Sequence, residues 1–436
     1  MSATLERTLG SRDLTLLVVG NVIGSGIFLV PAAVLRQSGE SLHVAVTVWL
    51  VGGILSLLGA MSYAELGGMD PDAGGLYAYI RDAFGRFPAF LYGWTLFFVI
   101  GAGTIATLAV AAANYLTQFT PMSPFSRSLV AVVLIVVMAA INVRGTRESA
   151  SVQNLATVIK VLAILGMSIA LFLFGNGPSL APVAHAVAPV TVTGVGLSLI
   201  AVLWAYEGWQ YVTFVAGEAK DPQRTIPLSI IVGTVILIII YVVANFAYVA
   251  ALGVARVAAS DRVAGEAVAQ VLGAFAGKAI AMVIIVSMYS AAHATVITVP
   301  RVYFAMARDG LFFRKMTEVH PRYGTPAFAI ISSCAWAAVL ALTGTFEQLL
   351  TYVVFVGWIF YALGAAAVIA LRIKLPDAPR PIRVPGYPVT PALFVLAAAV
   401  IVLNTIVSQP LQAATGIGVV LLGAPAYALW RRRVAA

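Results

Sequence analysis

Two glycine-broken stretches hold the residues of this chain best suited to chemistry. Residues 21–28 read Asn-Val-Ile-Gly-Ser-Gly-Ile-Phe and residues 204–209 read Trp-Ala-Tyr-Glu-Gly-Trp, each inside an otherwise apolar run. In hydrocarbon an unsatisfied backbone N–H or C=O is costly, so irregular backbone persists there only where it lines a protein cavity or binds something. An unwound turn frees amides at the start of the outer half-helix and carbonyls at the end of the inner one. The amides of Ser25, Gly26 and Ile27 suit a carboxylate. The carbonyls of Ile23 and of the turn from Trp204 through Ala205 to Glu207 suit an ammonium group. A zwitterion carries both charges one carbon apart, so the pocket could neutralise both without a buried charged side chain. Gly24 and Gly26 leave the room that a Cβ would block, and Gly208 breaks the second stretch. The competing reading is a helix-packing motif of small residues; the pairing of two such breaks argues for binding.

Lys160 is the most informative charged residue. It lies mid-run in SVQNLATVIKVLAILGM, about 14 Å from the cytoplasmic end of its helix at about 1.5 Å per residue. Unpaired, it would cost about 2.5–3.5 kcal/mol or more, so it is expected to face the bundle interior and carbonyl partners. Burial would also suit it to proton cycling. His293 is a candidate pH sensor or a satisfied polar position. Glu65, Glu218, Asp221 and Arg301 fall near cytoplasmic ends of spans, as inner-gate ion pairs or as a solvated rim. Residues 74–87 read as an amphipathic helix along the inner face that moves with the gate. The single cysteine, Cys334, gives no disulfide. The four histidines, His43, His185, His293 and His320, have no metal-ligand spacing, and no metal or cofactor is expected.

The elements that must position these residues are membrane helices. Hydrophobic residues make up 61% of the 436 and charged residues 10%, against about 45–50% and about 25% in soluble domains. Apolar runs fall near 13–37, 42–66, 86–116, 127–143, 150–174, 193–217, 226–252, 272–306, 326–343, 346–371, 390–408 and 411–430, about 12 in all, each able to cross a core of about 30 Å. The first run is too long and too interrupted for a cleavable signal. With both termini cytoplasmic, most basic residues, among them Arg81, Arg86, Arg144, Arg147 and Arg372, fall on one side. The other side receives Arg36, Arg127, Arg256, Arg262 and Lys278. The net charge of +9 is thus membrane topology, and no nucleic-acid partner is implied. The matching breaks in spans one and six divide the chain into two inverted five-helix units, 1–180 and 181–375, with 376–436 an accessory pair of helices and a cytoplasmic tail. The expected fold is all-α, integral to a plasma membrane, in a bacterial cell.

The segments NVIGSGIF, SYAELGGMDPDAGGLYAYIRDAFG, LWAYEGWQYVTFVAGEAKDPQRTIPLSI, PRVYFAMARDGLFF and KLPDAPRPIRVPGYP resemble the amino acid-polyamine-organocation superfamily. They are most similar to its L-type amino acid transporters and bacterial relatives, in order from about residue 8 to about 390. The resemblance implies the leucine-transporter fold with its five-plus-five inverted repeat and an L-amino acid substrate. It puts carboxylate contacts on Ser25 and Gly26, amino-group contacts on the carbonyls of Ile23, Trp204 and Glu207, and an outer aromatic gate on Trp204. It implies that the Lys160 ammonium stands in for sodium. Glu207 falls where the family has glycine, a small residue or an acid, so its carboxylate either contacts a cationic substrate or bonds locally. His293 falls where a polar residue such as asparagine is common. Eukaryotic relatives bind a partner glycoprotein through a cysteine in the outer loop after span three; residues 117–126 contain none, so no covalent partner is expected. The expectation is a sodium-independent exchanger working by alternating access. The alternatives are a proton-coupled amino acid or polyamine symporter, an intramembrane hydrolase using Ser25 and His293, and a channel. The hydrolase fits poorly because the segment is GSGIF rather than GxSG, and a channel would need rings of carbonyls or charges.

Overall fold

The computed structural model describes residues 6–70, 74–175, 189–344 and 346–435. Because lipid cannot satisfy backbone polar groups, the apolar runs fold into helices that satisfy their own. In order these are α1 Ser11–Val22, α2 Gly26–Gln37, α3 Leu42–Met69, α4 Leu76–Phe84, α5 Arg86–Thr95, α6 Gly101–Leu116, α7 Pro124–Val143, α8 Thr146–Phe174 and α9 Val192–Ala205. They continue as α10 Pro222–Leu252, α11 Val254–Ala259, α12 Val263–Leu272, α13 Ala274–Thr298, α14 Pro300–Arg308, α15 Ala327–Thr343, α16 Phe346–Lys374, α17 Val389–Ser408 and α18 Pro410–Ala435. A π turn, Leu96–Ile100, joins α5 to α6, and a 3-10 segment, Trp209–Glu218, follows α9. Among the described residues there is no strand beyond an isolated bridge between Leu9 and Ala219.

Among the described residues, ten helical spans, some joining two of these helices, are long and apolar enough to cross a membrane, and α1 with α2, bent by 43° at their break, makes an eleventh. The remaining expected span, 326–343, is a shorter apolar helix of 17 residues, α15, at the low end of the roughly 17–25 that span a bilayer. His185 and the expected boundary at 180/181 lie outside the described residues. Cys334 is buried in α15.

α1 is the hub of the packing, touching α8, α10 and α13, while α2 packs on α9 and α11. Small residues set these approaches. A Cβ on Gly20 would stand 2.2 Å from Gln153 and Thr157 of α8, and one on Gly233 of α10 would stand 2.6 Å from Val18. The expected amphipathic segment forms a helix, α4, with its apolar face against the bundle and Asp82 exposed. Tyr77, Tyr79 and Ile80 are buried and the helix packs on α16 and α5. Its polar side reaches inward too, since Tyr77 and Arg81 both bond to Asp309 at 2.8 Å.

Three of the four cytoplasmic candidates are paired and buried rather than solvated. Arg301 Nε donates to Glu218 Oε2 at 2.9 Å and its Nη2 to Oε1 at 3.1 Å, with Thr146 bonded to both residues. Glu65 accepts from Arg372 at 2.8 and 2.6 Å and from the Val384 amide at 2.7 Å. Asp221 instead sits exposed at the start of α10 with φ 47°. Removing one member of a buried pair strands the other charge at about 3–5 kcal/mol. Glu218→Gln is therefore expected to lower the unfolding midpoint in detergent by more than the double change Glu218→Met with Arg301→Met; a single change no worse than the double would assign the pair no stabilising role.

Candidate substrate site

The first break starts where α1 runs out of carbonyl partners. Ile23 N–H closes the last turn on Val19 O, and Gly24 N–H turns back to Val22 O at 2.8 Å. α2 restarts at Gly26, and the first amides to find a carbonyl there are those of Phe28 and Leu29, both on Ser25 O at 3.1 Å. The amides of Ser25, Gly26 and Ile27 thus stand at the open end of α2, where the helix dipole favours an anion.

The carbonyls of the break are held from two other helices. Lys160 Nζ of α8, fully buried, donates to Gly20 O and Ile23 O at 2.6 Å each. Ser287 Oγ of α13 reaches Ile23 O at 3.0 Å and Gly24 O at 3.1 Å.

The second break is a turn at 206–208 in which Gly208 takes φ +119°, a conformation open to glycine and strained for a residue with a Cβ. Three contacts tie it to the first. The Tyr241 hydroxyl of α10 lies 3.1 Å from Val22 O and 2.9 Å from Ala205 O. Asn21 Nδ2 donates to Gly208 O at 3.4 Å, and Asn21 Oδ1 accepts from Thr295 at 3.2 Å. Gly26 backs directly onto Ala205, where an added Cβ would stand 2.5 Å from the Ala205 Cα.

Between the breaks lies a cavity that Gly24, Ser25, Gly26, Trp204, Glu207 and Gly208 line. The other walls are Asn21, Val22, Thr104, Leu108 and Tyr211. Its volume is about 20 Å³, room for about one water, so in this conformation the site is contracted. Trp204 is buried on one side of it. Glu207 Oε1 accepts from the Tyr361 hydroxyl of α16 and from Gln210 Nε2 at 3.4 Å.

Three of the expected contact residues stand outside this lining. Ile27 is one, and Ile23 is another, with a carbonyl that accepts from Lys160 and Ser287. Ala205 is outside as well, its carbonyl engaged by Tyr241 and its Cβ against Gly26. Lys160 lies behind the break, within the bundle and on carbonyls as its position suggested. His293 lines nothing here. It is buried in α13 with its ring stacked on Tyr289 at 6.2 Å, and among the described residues neither ring nitrogen has a hydrogen-bond partner. Asn21, Thr104 and Tyr211 were missed, as were Tyr241, Ser287 and Tyr361 that hold the site. Their only sequence signal is a polar group inside an apolar run, which many structural residues share.

Among the described residues no three His, Cys, Asp or Glu side chains form a group fit for a metal ion. The model for the family described as amino acid permease matches residues 9–424. The chain is 30% identical over 434 residues to the serine/threonine exchanger SteT of Bacillus subtilis (strain 168), covering 99% of this chain and 98% of that one. It is 32% identical to the large neutral amino acids transporter small subunit 2 of Mus musculus, covering 98% and 81%. It is 31% identical to the cystine/glutamate transporter of Homo sapiens, covering 98% and 86%. A family match over nearly the whole chain, on a helical membrane fold with two facing helix breaks, leads to one conclusion: the chain belongs to the amino acid permease family of the amino acid-polyamine-organocation superfamily and is a secondary amino acid transporter, not an enzyme.

Proposed function

We propose that this transporter is a sodium-independent amino acid exchanger working by alternating access. One observation carries the reading. The Lys160 ammonium supplies a fixed positive charge on the carbonyls of the first break, the place where a coupling cation would otherwise be needed. A cation built into the protein cannot be driven across by an ion gradient, so the cycle would be completed by a second amino acid. Names of relatives that are exchangers support the same reading.

In this scheme the substrate carboxylate docks on the amides of Ser25 and Gly26 and its ammonium group on the free carbonyls of the turn at 204–207. Entry requires the contracted cavity to widen. Trp204 closes the outer path, and on the inner side the Glu218–Arg301 pair must part before release. The reading rests on two inverted five-helix units, 1–180 and 181–375, with the accessory helices after them, moving against each other. The protein would lie in a plasma membrane with both termini cytoplasmic, and with no cysteine in 117–126 it would need no covalent partner. The bonds from Tyr361 and Gln210 favour a local role for Glu207 over a direct contact with a cationic substrate. Proton symport through Lys160 remains the second reading, favoured by the burial of that amine.

Uptake of labelled amino acids into proteoliposomes without sodium or a pH gradient is expected only when the vesicles are preloaded with unlabelled amino acid. Uptake that starts only on imposing an inward proton gradient would replace the exchanger with a proton symporter. Lys160→Ala removes two charge-assisted bonds, each worth about 1.5–3 kcal/mol, so exchange is expected to fall at least about ten- to a hundredfold in protein that still elutes as a single species. Exchange that survives unchanged would remove the brace from the mechanism. Gly26→Ala forces a Cβ into the Ala205 backbone, a strain of about 1–3 kcal/mol, and should abolish exchange, whereas Gly166→Ala, at a glycine with open space beside it, should be neutral.

A further inference from the structure

A second cavity, apart from the substrate site, lies between α5, α6, α15, α16 and α18. It has a volume of about 400 Å³, within the roughly 300–1,000 Å³ typical of small-molecule sites. Trp94, Phe98, Trp336, Leu340, Val419 and Leu422 form most of its wall. The π turn at Leu96–Ile100 creates part of it. Such single turns break the regular hydrogen-bond ladder and recur at functional sites. Here the Phe98 carbonyl accepts from Trp336 Nε1 at 2.9 Å, and the Leu96 carbonyl accepts from Tyr303 at 3.0 Å. The Trp94 and Phe98 rings meet at the recess in a tilted contact, with centroids 4.4 Å apart.

The wall is closed to water on chemical grounds. Trp94 Nε1 donates to Val419 O at 3.1 Å and Thr415 Oγ1 to Leu411 O at 2.9 Å, so both indoles and this hydroxyl have turned their protons to the backbone. A water needs two to four polar partners. The cavity opens outward at Leu422, which lines it and is 63% exposed. Thr415 to Leu422 lie roughly 8–18 Å along α18 from its start at about 1.5 Å per residue, inside a hydrocarbon core of about 30 Å. What meets the rim at that depth is acyl chain. A helix from a second copy, about 10–12 Å across, is too wide for the recess.

We propose that this cavity is a binding site for one acyl chain of a bilayer phospholipid. The site shares one element with the substrate cavity: on α6, Gly103 lines the lipid cavity and Thr104 the substrate cavity. α16 lines the lipid cavity at Tyr352 and, farther along, bonds the cavity residue Glu207 through Tyr361. An acyl chain held here would pack behind α6.

The test uses the full chain in phosphatidylcholine vesicles, with a rising share of the lipid replaced by phosphatidylcholine brominated along its chains, which quenches tryptophan on contact. The quenchable signal of Trp336, taken as the difference between the wild type and Trp336→Phe, is expected to be strong and to saturate at a low brominated share. It should drop severalfold in Leu340→Phe with Val419→Phe, which fills the recess. Leu340→Ala with Val419→Ala, which enlarges it, should retain the quenching and guards against a filled variant that fails to fold. Equal quenching in the filled and enlarged variants would mean surface lipid only and would overturn the site. So would a Trp336 signal quenched by aqueous acrylamide and not by brominated chains, or one shielded from both in a protein that elutes as a dimer.

Discussion

The contact between the Lys160 ammonium and the carbonyls of Gly20 and Ile23 is the constraint on which the rest of this site depends. Each partner is untenable alone. A lysine at mid-membrane without acceptors costs about 2.5–3.5 kcal/mol or more, and carbonyls freed by a helix break have no water to bond. Two bonds of 2.6 Å answer both needs at once and pin α8 to α1. Gly20, on the same turn, lets the two helices come close enough for the amine to reach. Ser287 adds a grip from α13, so the unwound turn is held from two helices, which leaves the amide end of α2 to face the cavity.

The two breaks then behave as one unit. Tyr241, Asn21 and the Gly26–Ala205 contact fix the distance between the amides of one break and the carbonyls of the other. On the proposed reading, that spacing lets one pocket address a carboxylate and an ammonium on a single carbon. The same ties draw the walls together until the cavity holds about one water, while buried ion pairs join Glu218 to Arg301 and Glu65 to Arg372 elsewhere in the bundle. α6, which lines this cavity at Thr104, also walls the apolar recess at Gly103.

Parts of this arrangement were legible from single residues. The glycines of 21–28 and 204–209 stood out because glycine is poorly suited to a helix interior unless the backbone must depart from it, and all but Ile23, Ile27 and Ala205 of the expected contact residues line the cavity. Lys160 stood out because a charge at that depth must have partners. Asn21, Thr104, Tyr211 and Tyr361 did not, since a lone polar residue in an apolar span commonly bonds to the carbonyl one turn back, as Thr104 itself does at 2.7 Å.

By itself the sequence determined the membrane class, the places where the helices break, and the need for carbonyl partners around residue 160, because hydropathy and backbone preference are properties of short stretches of chain. Only the tertiary structure decided that Lys160 and Ser287 hold the Ile23 carbonyl, that Tyr241 joins the two breaks, that Glu218 meets Arg301, and that His293 has no hydrogen-bond partner among the described residues. Those contacts join residues 36 to 264 positions apart in the chain, and no local pattern encodes which helices pack together.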